Sequence, residues 1–92
     1  MSSYTIHPTP NPNSLKFTAM GKTFIDSGLG AYASAEQAAV DPLAAALFEV
    51  EGLADVLVLP PFATVTKRPE ADWNVMLPRI EKVVEAHLSA RP

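Results

Sequence analysis

Ninety-two residues are enough for one small domain and too few for a second core. With 48% hydrophobic residues against 18% charged, the chain is expected to fold rather than stay disordered. The absence of cysteine excludes disulfides, thiolate zinc sites, cysteine-ligated iron–sulfur clusters and cysteine nucleophiles from this sequence, and a net charge of −3 argues against a binder of phosphate backbones.

In chain order, Tyr4 to His7 alternate as a strand does, and Pro8-Thr9-Pro10-Asn11-Pro12-Asn13 breaks it, because proline has no backbone donor and restricts its predecessor. Ser14 to Thr18 resumes the alternation, with Leu15 and Phe17 on one face and Lys16 on the other, so the two strands should pair as a hairpin. Thr23-Phe24-Ile25, among Gly21, Gly28 and Gly30, is too short to assign, and Ala31-Tyr32-Ala33 suits a third short strand. Ser34 with Gln37 fits a capping box for one helical turn ending at Ala39. Asp41 is then the N-cap of a second helix with Pro42 in its first position; Leu43, Leu47 and Val50 form its apolar stripe, and Gly52 is available as its stop.

Leu53 to Leu59 and Phe62 to Lys67 read as a second hairpin joined rigidly by Pro60-Pro61. Trp73, Met76, Leu77, Ile80, Val83, Val84 and Leu88 recur at helical spacing behind Asp72 as cap, and Pro78 predicts a bend or a late start. Together these elements predict one α+β domain over residues 1–92. It is a two-layer sandwich, mainly an antiparallel sheet of two hairpins with helices packed on one face.

Catalytic groupings are hard to find. His7 and His87 have no second ligand at metal spacing, the adjacent acids Glu49 and Glu51 suit a solvated helix end, and no phosphate loop or nucleophile elbow is present. No enzyme activity, catalytic residue, metal site or cofactor is therefore expected. The aromatics lack interleaved basic residues, which argues against nucleic acid. No apolar run reaches about 18 residues, so no membrane span is expected, and the N-terminus lacks a secretory or transit pattern, which makes the cytoplasm the expected location. The oligomeric state is not readable.

Two polar segments are candidate partner-binding sites. Asn11, Asn13, Ser14 and Lys16 are pre-ordered by Pro10 and Pro12, although an Asx-type turn satisfying its own backbone would use the same residues. Thr64, Thr66, Lys67 and Arg68 place hydroxyls beside two cations, a pattern that suits a carboxylate or phosphate and equally a solvated strand end.

Several segments resemble one family. Thr9-Pro10-Asn11-Pro12-Asn13-Ser14-Leu15-Lys16-Phe17, Asp41-Pro42-Leu43-Ala44 through Leu47-Phe48-Glu49-Val50-Glu51-Gly52-Leu53, Thr64-Val65-Thr66-Lys67, and Trp73 with Leu77-Pro78 and Ile80 are similar to the N-terminal domain of Nfu-type scaffold proteins. The resemblance implies a compact α+β domain in iron–sulfur cluster biogenesis, whose cluster-binding Cys-x-x-Cys motif belongs to a separate domain. It implies a free-standing accessory module that ligates no cluster and meets cluster-assembly or client proteins. Leu59-Pro60-Pro61-Phe62-Ala63 departs from the family's usual Gly-Pro-Asp-Phe-Ile, which removes a glycine and an acid from that turn. The alternative reading is a peptide or small-anion binding domain, of phosphopeptide type, unrelated to clusters.

Overall fold

The computed structural model describes residues 4–90. Its strands are β1 (Tyr4–Pro8), β2 (Ser14–Ala19), β3 (Gly30–Tyr32), β4 (Leu53–Val58) and β5 (Phe62–Lys67); its helices are α1 (Ala35–Ala38), α2 (Pro42–Phe48) and α3 (Trp73–Ala90). The five strands form one antiparallel sheet in the order β1-β2-β5-β4-β3, with the helices on one face. Both expected hairpins are present, β1–β2 and β4–β5, and they join through β2 and β5.

Strand alternation decides what the helices cover. Ala63, Val65 and Lys67 of β5 face the helical layer, as do Phe17 of β2 and Val56 and Val58 of β4, all buried. Leu43 and Leu47 of α2 and Met76, Ile80, Val84 and Leu88 of α3 complete this core. Burying a side chain such as Ile80 contributes about 1.5–3 kcal/mol, so this face outweighs the weak propensities of its short elements.

Local chemistry sets the element ends. Asp41 caps α2 by accepting from the backbone N–H groups of Leu43 (2.9 Å) and Ala44 (3.3 Å), and Pro42 follows it in the first turn. The Ser34 hydroxyl accepts from the Gln37 N–H at 3.2 Å, whereas the Gln37 side chain reaches back to the N–H of Ala33 rather than to that of the cap. Gly52 is not the stop of α2. That helix ends at Phe48 through short bonds from Glu49 to Ala46 and from Val50 to Leu47. Gly52 (φ +97°) instead forms the turn into β4, where a Cβ would lie 2.8 Å from that of Ala71.

α3 starts at Trp73 with no delay, contrary to the late start that Pro78 suggested. Pro78 and Asn74, one turn earlier, are both exposed, so water can satisfy the Asn74 carbonyl that proline leaves without a donor.

The Met20–Leu29 connection carries a core residue of its own. Phe24 is fully buried, and its N–H donates to the Pro60 carbonyl at 2.8 Å. His87 Nε2 donates to the Phe24 carbonyl at 2.7 Å and its ring stacks on Phe24, while Lys22 Nζ donates to the Leu88 carbonyl at 2.8 Å. This connection therefore ties the β4–β5 turn to the end of α3, where a cation also complements the helix dipole.

Candidate functional site

With the helices on one side, no element among the described residues covers the other side of the sheet. The register places His7, Lys16, Thr64, Leu57 and Ala31 in one row across all five strands. Thr5, Thr18 and Phe62 form a second row, and Ser14, Thr66 and Asp55 a third. The result is a hydroxyl-rich face on which Phe62 lies among Lys16, Thr18 and Thr64.

Its side chains are organised in pairs. Lys16 Nζ lies 4.4 Å from the centroid of the Phe62 ring, a cation–π contact that holds the ammonium flat against the sheet. The hydroxyls of Ser14 and Thr66 are 2.7 Å apart, and Thr5 Oγ1 lies 2.8 Å from His7 Nε2. Of the eight candidate residues, Ser14, Lys16, Thr64 and Thr66 are thus brought together on this face.

The other four lie elsewhere. Lys67 corrects the expectation of two cations beside outward hydroxyls: as the residue after Val65 and Thr66 it faces the helical layer, and only 8% of it is exposed. Its ammonium donates to Asn13 Oδ1 at 3.0 Å and to the carbonyls of Arg68 (3.3 Å) and Pro69 (3.4 Å), and it lies 5.9 Å from the centroid of the Trp73 ring. Asn13 is the other half of this clamp; its carbonyl also accepts from the Lys67 N–H at 2.8 Å. Asn11 forms an Asx turn, with Oδ1 accepting from the Asn13 N–H at 2.9 Å and its carbonyl from the Ser14 N–H at 3.0 Å. Arg68 is exposed beyond the end of β5, beside Gly52 and α3.

Trp73 completes the clamp. It is half-buried at the rim of the core, and its indole N–H donates to the Pro12 carbonyl at 3.2 Å. The proline–asparagine turn is in this way fixed to the start of α3, which orients Ser14 and Lys16 on β2. Sequence reasoning overlooked Phe62 and Leu57 as members of the open face; pairing of Phe62 with Thr18 was the signal, and it needs the β2–β5 register that no local pattern supplies.

Two phenols sit against carboxylates away from this face. Burial, with a 2.8 Å hydrogen bond to Glu81 and the charges of Glu81 and Glu85, pushes Tyr4 well above the usual phenol range. Burial and Asp41 push Tyr32 upward too. Among the described residues, no three His, Cys, Asp or Glu side chains are grouped to hold a metal ion, and no helix is long and apolar enough to cross a membrane.

Residues 4–91 match the family described as the N-terminal part of the scaffold protein Nfu/NifU. The human protein named NFU1 iron-sulfur cluster scaffold homolog, mitochondrial, is 44% identical over 73 residues, a stretch covering 78% of this chain and 28% of that protein. Arabidopsis thaliana NifU-like protein 5, mitochondrial, is 37% identical over 76 residues, covering 83% and 27% respectively. Among solved structures, the Staphylococcus aureus protein SAV1430 superposes with a TM-score of 0.72 at 26% identity, covering 91% of this chain and 100% of that one. The chain thus spans a little over a quarter of the length of these human and plant relatives. In sequence and in fold, the chain belongs to the Nfu/NifU N-terminal family, which is linked to iron–sulfur cluster assembly.

Proposed function

We propose that this domain is a non-enzymatic docking module of iron–sulfur cluster assembly, which presents the open face of its sheet to a cluster-carrying or cluster-receiving protein and ligates no cluster itself. The observation that carries this reading is the assembly of Ser14, Lys16, Thr64, Thr66 and Phe62 on a sheet face that no helix among the described residues covers. The family supplies the cluster context, and the sequence supplies no thiolate with which to hold a cluster.

The size of the face sets the kind of contact. Five strands of three to six residues, spaced about 4.8 Å apart, give a face of roughly 400 Å². That is about half of the ~800 Å² per partner found in standard stable interfaces, so the encounter is transient, as delivery of a cluster between proteins requires.

The test is binding of the purified chain to a Cys-x-x-Cys cluster protein, by interferometry, with Lys16→Glu and Phe62→Ala beside the parent. Both substitutions should weaken binding at least fivefold while the melting curve shows a folded protein. Unchanged affinity in both variants would remove the open face from the interaction, and a stable absorbance near 400 nm on the lone chain after anaerobic iron and sulfide treatment would contradict the reading.

A further inference from the structure

The sheet ends at β1. This strand pairs with β2 on one side, and no strand among the described residues flanks its other side. The hydrogen bonds of β2 decide which groups β1 leaves open. The Ala19 N–H donates to the Pro61 carbonyl and the Lys67 N–H to the Asn13 carbonyl, so the odd-numbered residues of β2 aim their backbone groups at β5 and the even-numbered ones at β1. Lys16 and Thr18 stand opposite His7 and Thr5, which therefore point inward to β2, whereas Tyr4, Ile6 and Pro8 point their backbone groups out of the sheet. Proline has no N–H to offer. Two complete donor–acceptor rungs remain, Tyr4 and Ile6, and neither bonds to another backbone or side chain among the described residues on that side.

A second β1, running antiparallel, matches this edge. With a two-fold axis at Thr5, Tyr4 of each copy lies opposite Ile6 of the other, so both rungs of both copies are satisfied and the Pro8 carbonyls stay in water at the two ends. On the helical side, where Tyr4 is buried and Ile6 packs against the core, an aromatic ring then meets a β-branched chain. On the open side Thr5 meets the Thr5 of the second copy, another favourable cross-strand pair. β1 carries no lysine, arginine or carboxylate and no bulge, the devices by which an edge is kept from pairing.

We propose that two copies of this domain pair through β1, joining their five-stranded sheets into one continuous sheet. The axis stands perpendicular to the sheet, so both open faces point the same way and lie side by side. Two such faces give about 800 Å², the area per partner of a standard stable interface. That gain rests on the docking reading; the pairing itself does not. A five-residue strand buries little area, and each copy brings Glu81 and Glu85 to the helical side of this edge beside Tyr4, so the pair is weak and screening salt strengthens it.

Thr5 tests the register because it is its own neighbour across the axis. Sedimentation equilibrium of the parent chain, from tens of micromolar to millimolar, should show the mass rising toward twice that of one chain, with concentration-dependent ¹⁵N shifts at the Tyr4 and Ile6 amides. Thr5→Lys and Thr5→Glu should each stay monomeric, and their equimolar mixture should pair at least tenfold more tightly than either alone. Ile6→Pro, which removes an outward N–H and no bond of the β1–β2 ladder, should abolish pairing while its melting curve shows a folded protein. A parent chain that is monomeric at millimolar concentration, a Thr5→Lys protein that pairs as the parent does, a mixture that does not regain the pair, or Tyr4 and Ile6 shifts that appear only when a different protein is added would overturn the proposal. None of these results bears on docking by a single open face.

Discussion

Replacing Lys67 by Met tests whether the proline–asparagine turn is held from inside. The substitution keeps an unbranched apolar stem of similar length and removes the ammonium that Asn13 Oδ1 accepts from at 3.0 Å. The contacts to the Arg68 and Pro69 carbonyls, at 3.3 and 3.4 Å, exceed the usual 2.7–3.2 Å range and contribute little. One charged hydrogen bond is worth about 1.5–3 kcal/mol, and relief from burying a charge offsets part of it, which leaves a net loss of about 1–2 kcal/mol. A domain of this length is stable by roughly 5–14 kcal/mol, and each kcal/mol shifts the melting temperature by about 4–8 °C, so melting should fall by about 4–16 °C. Urea denaturation of Lys67→Met, Asn13→Ala and the double variant gives the coupling directly, expected at about 1 kcal/mol or more. Lys16→Met, which loses only a half-buried cation–π contact to Phe62, should cost about 1 kcal/mol or less. A Lys67→Met protein as stable as the parent, or one whose cost is independent of Asn13, would refute the clamp.

Two further outcomes follow from single groups. The Tyr4 phenol is raised in the folded state above its ordinary value of 10, so the stability it contributes is complete below pH 10 and is lost as the pH climbs above it. Tyr4→Phe should therefore flatten the decline of the urea midpoint between pH 8 and pH 11, with Tyr32 supplying part of the slope that remains; identical slopes would contradict this assignment. Asp41→Ala should cost about 0.5–2 kcal/mol by removing the α2 cap, and Asp41→Asn, which retains an accepting oxygen, should recover most of it in thermal melts. Equal melting of Ala and Asn variants would show that the cap oxygen is idle.

The sequence makes the local parts of this fold readable and leaves the long-range ones dark. Both hairpins, the Asp41-Pro42 start of α2 and the apolar stripe of α3 follow from alternation, capping chemistry and helical spacing, all of which act over a few residues. The pairing of β2 with β5 joins segments almost fifty residues apart, and nothing in either strand specifies the other. Phe24 was hidden because it enters the core from an irregular connection held by hydrogen bonds to Pro60 and His87. The inward turn of Lys67 was legible: Ala63, Val65 and Lys67 share one strand face, and the two apolar residues identify that face as the buried one. A lysine at such a position needs internal acceptors, and Asn13 supplies one. For the open face, the alternation showed Lys16, Thr64 and Thr66 pointing away from the core, whereas their convergence on Ser14 and Phe62 required the register.

The most direct test of the docking account is a ¹⁵N chemical-shift map of this chain during titration with a cluster-loaded Cys-x-x-Cys protein. The account predicts fast-exchange shifts concentrated on Ser14, Lys16, Thr18, Phe62, Thr64 and Thr66, with the helical layer unmoved. Shifts confined to α2 and α3, or none at any ratio, would contradict it.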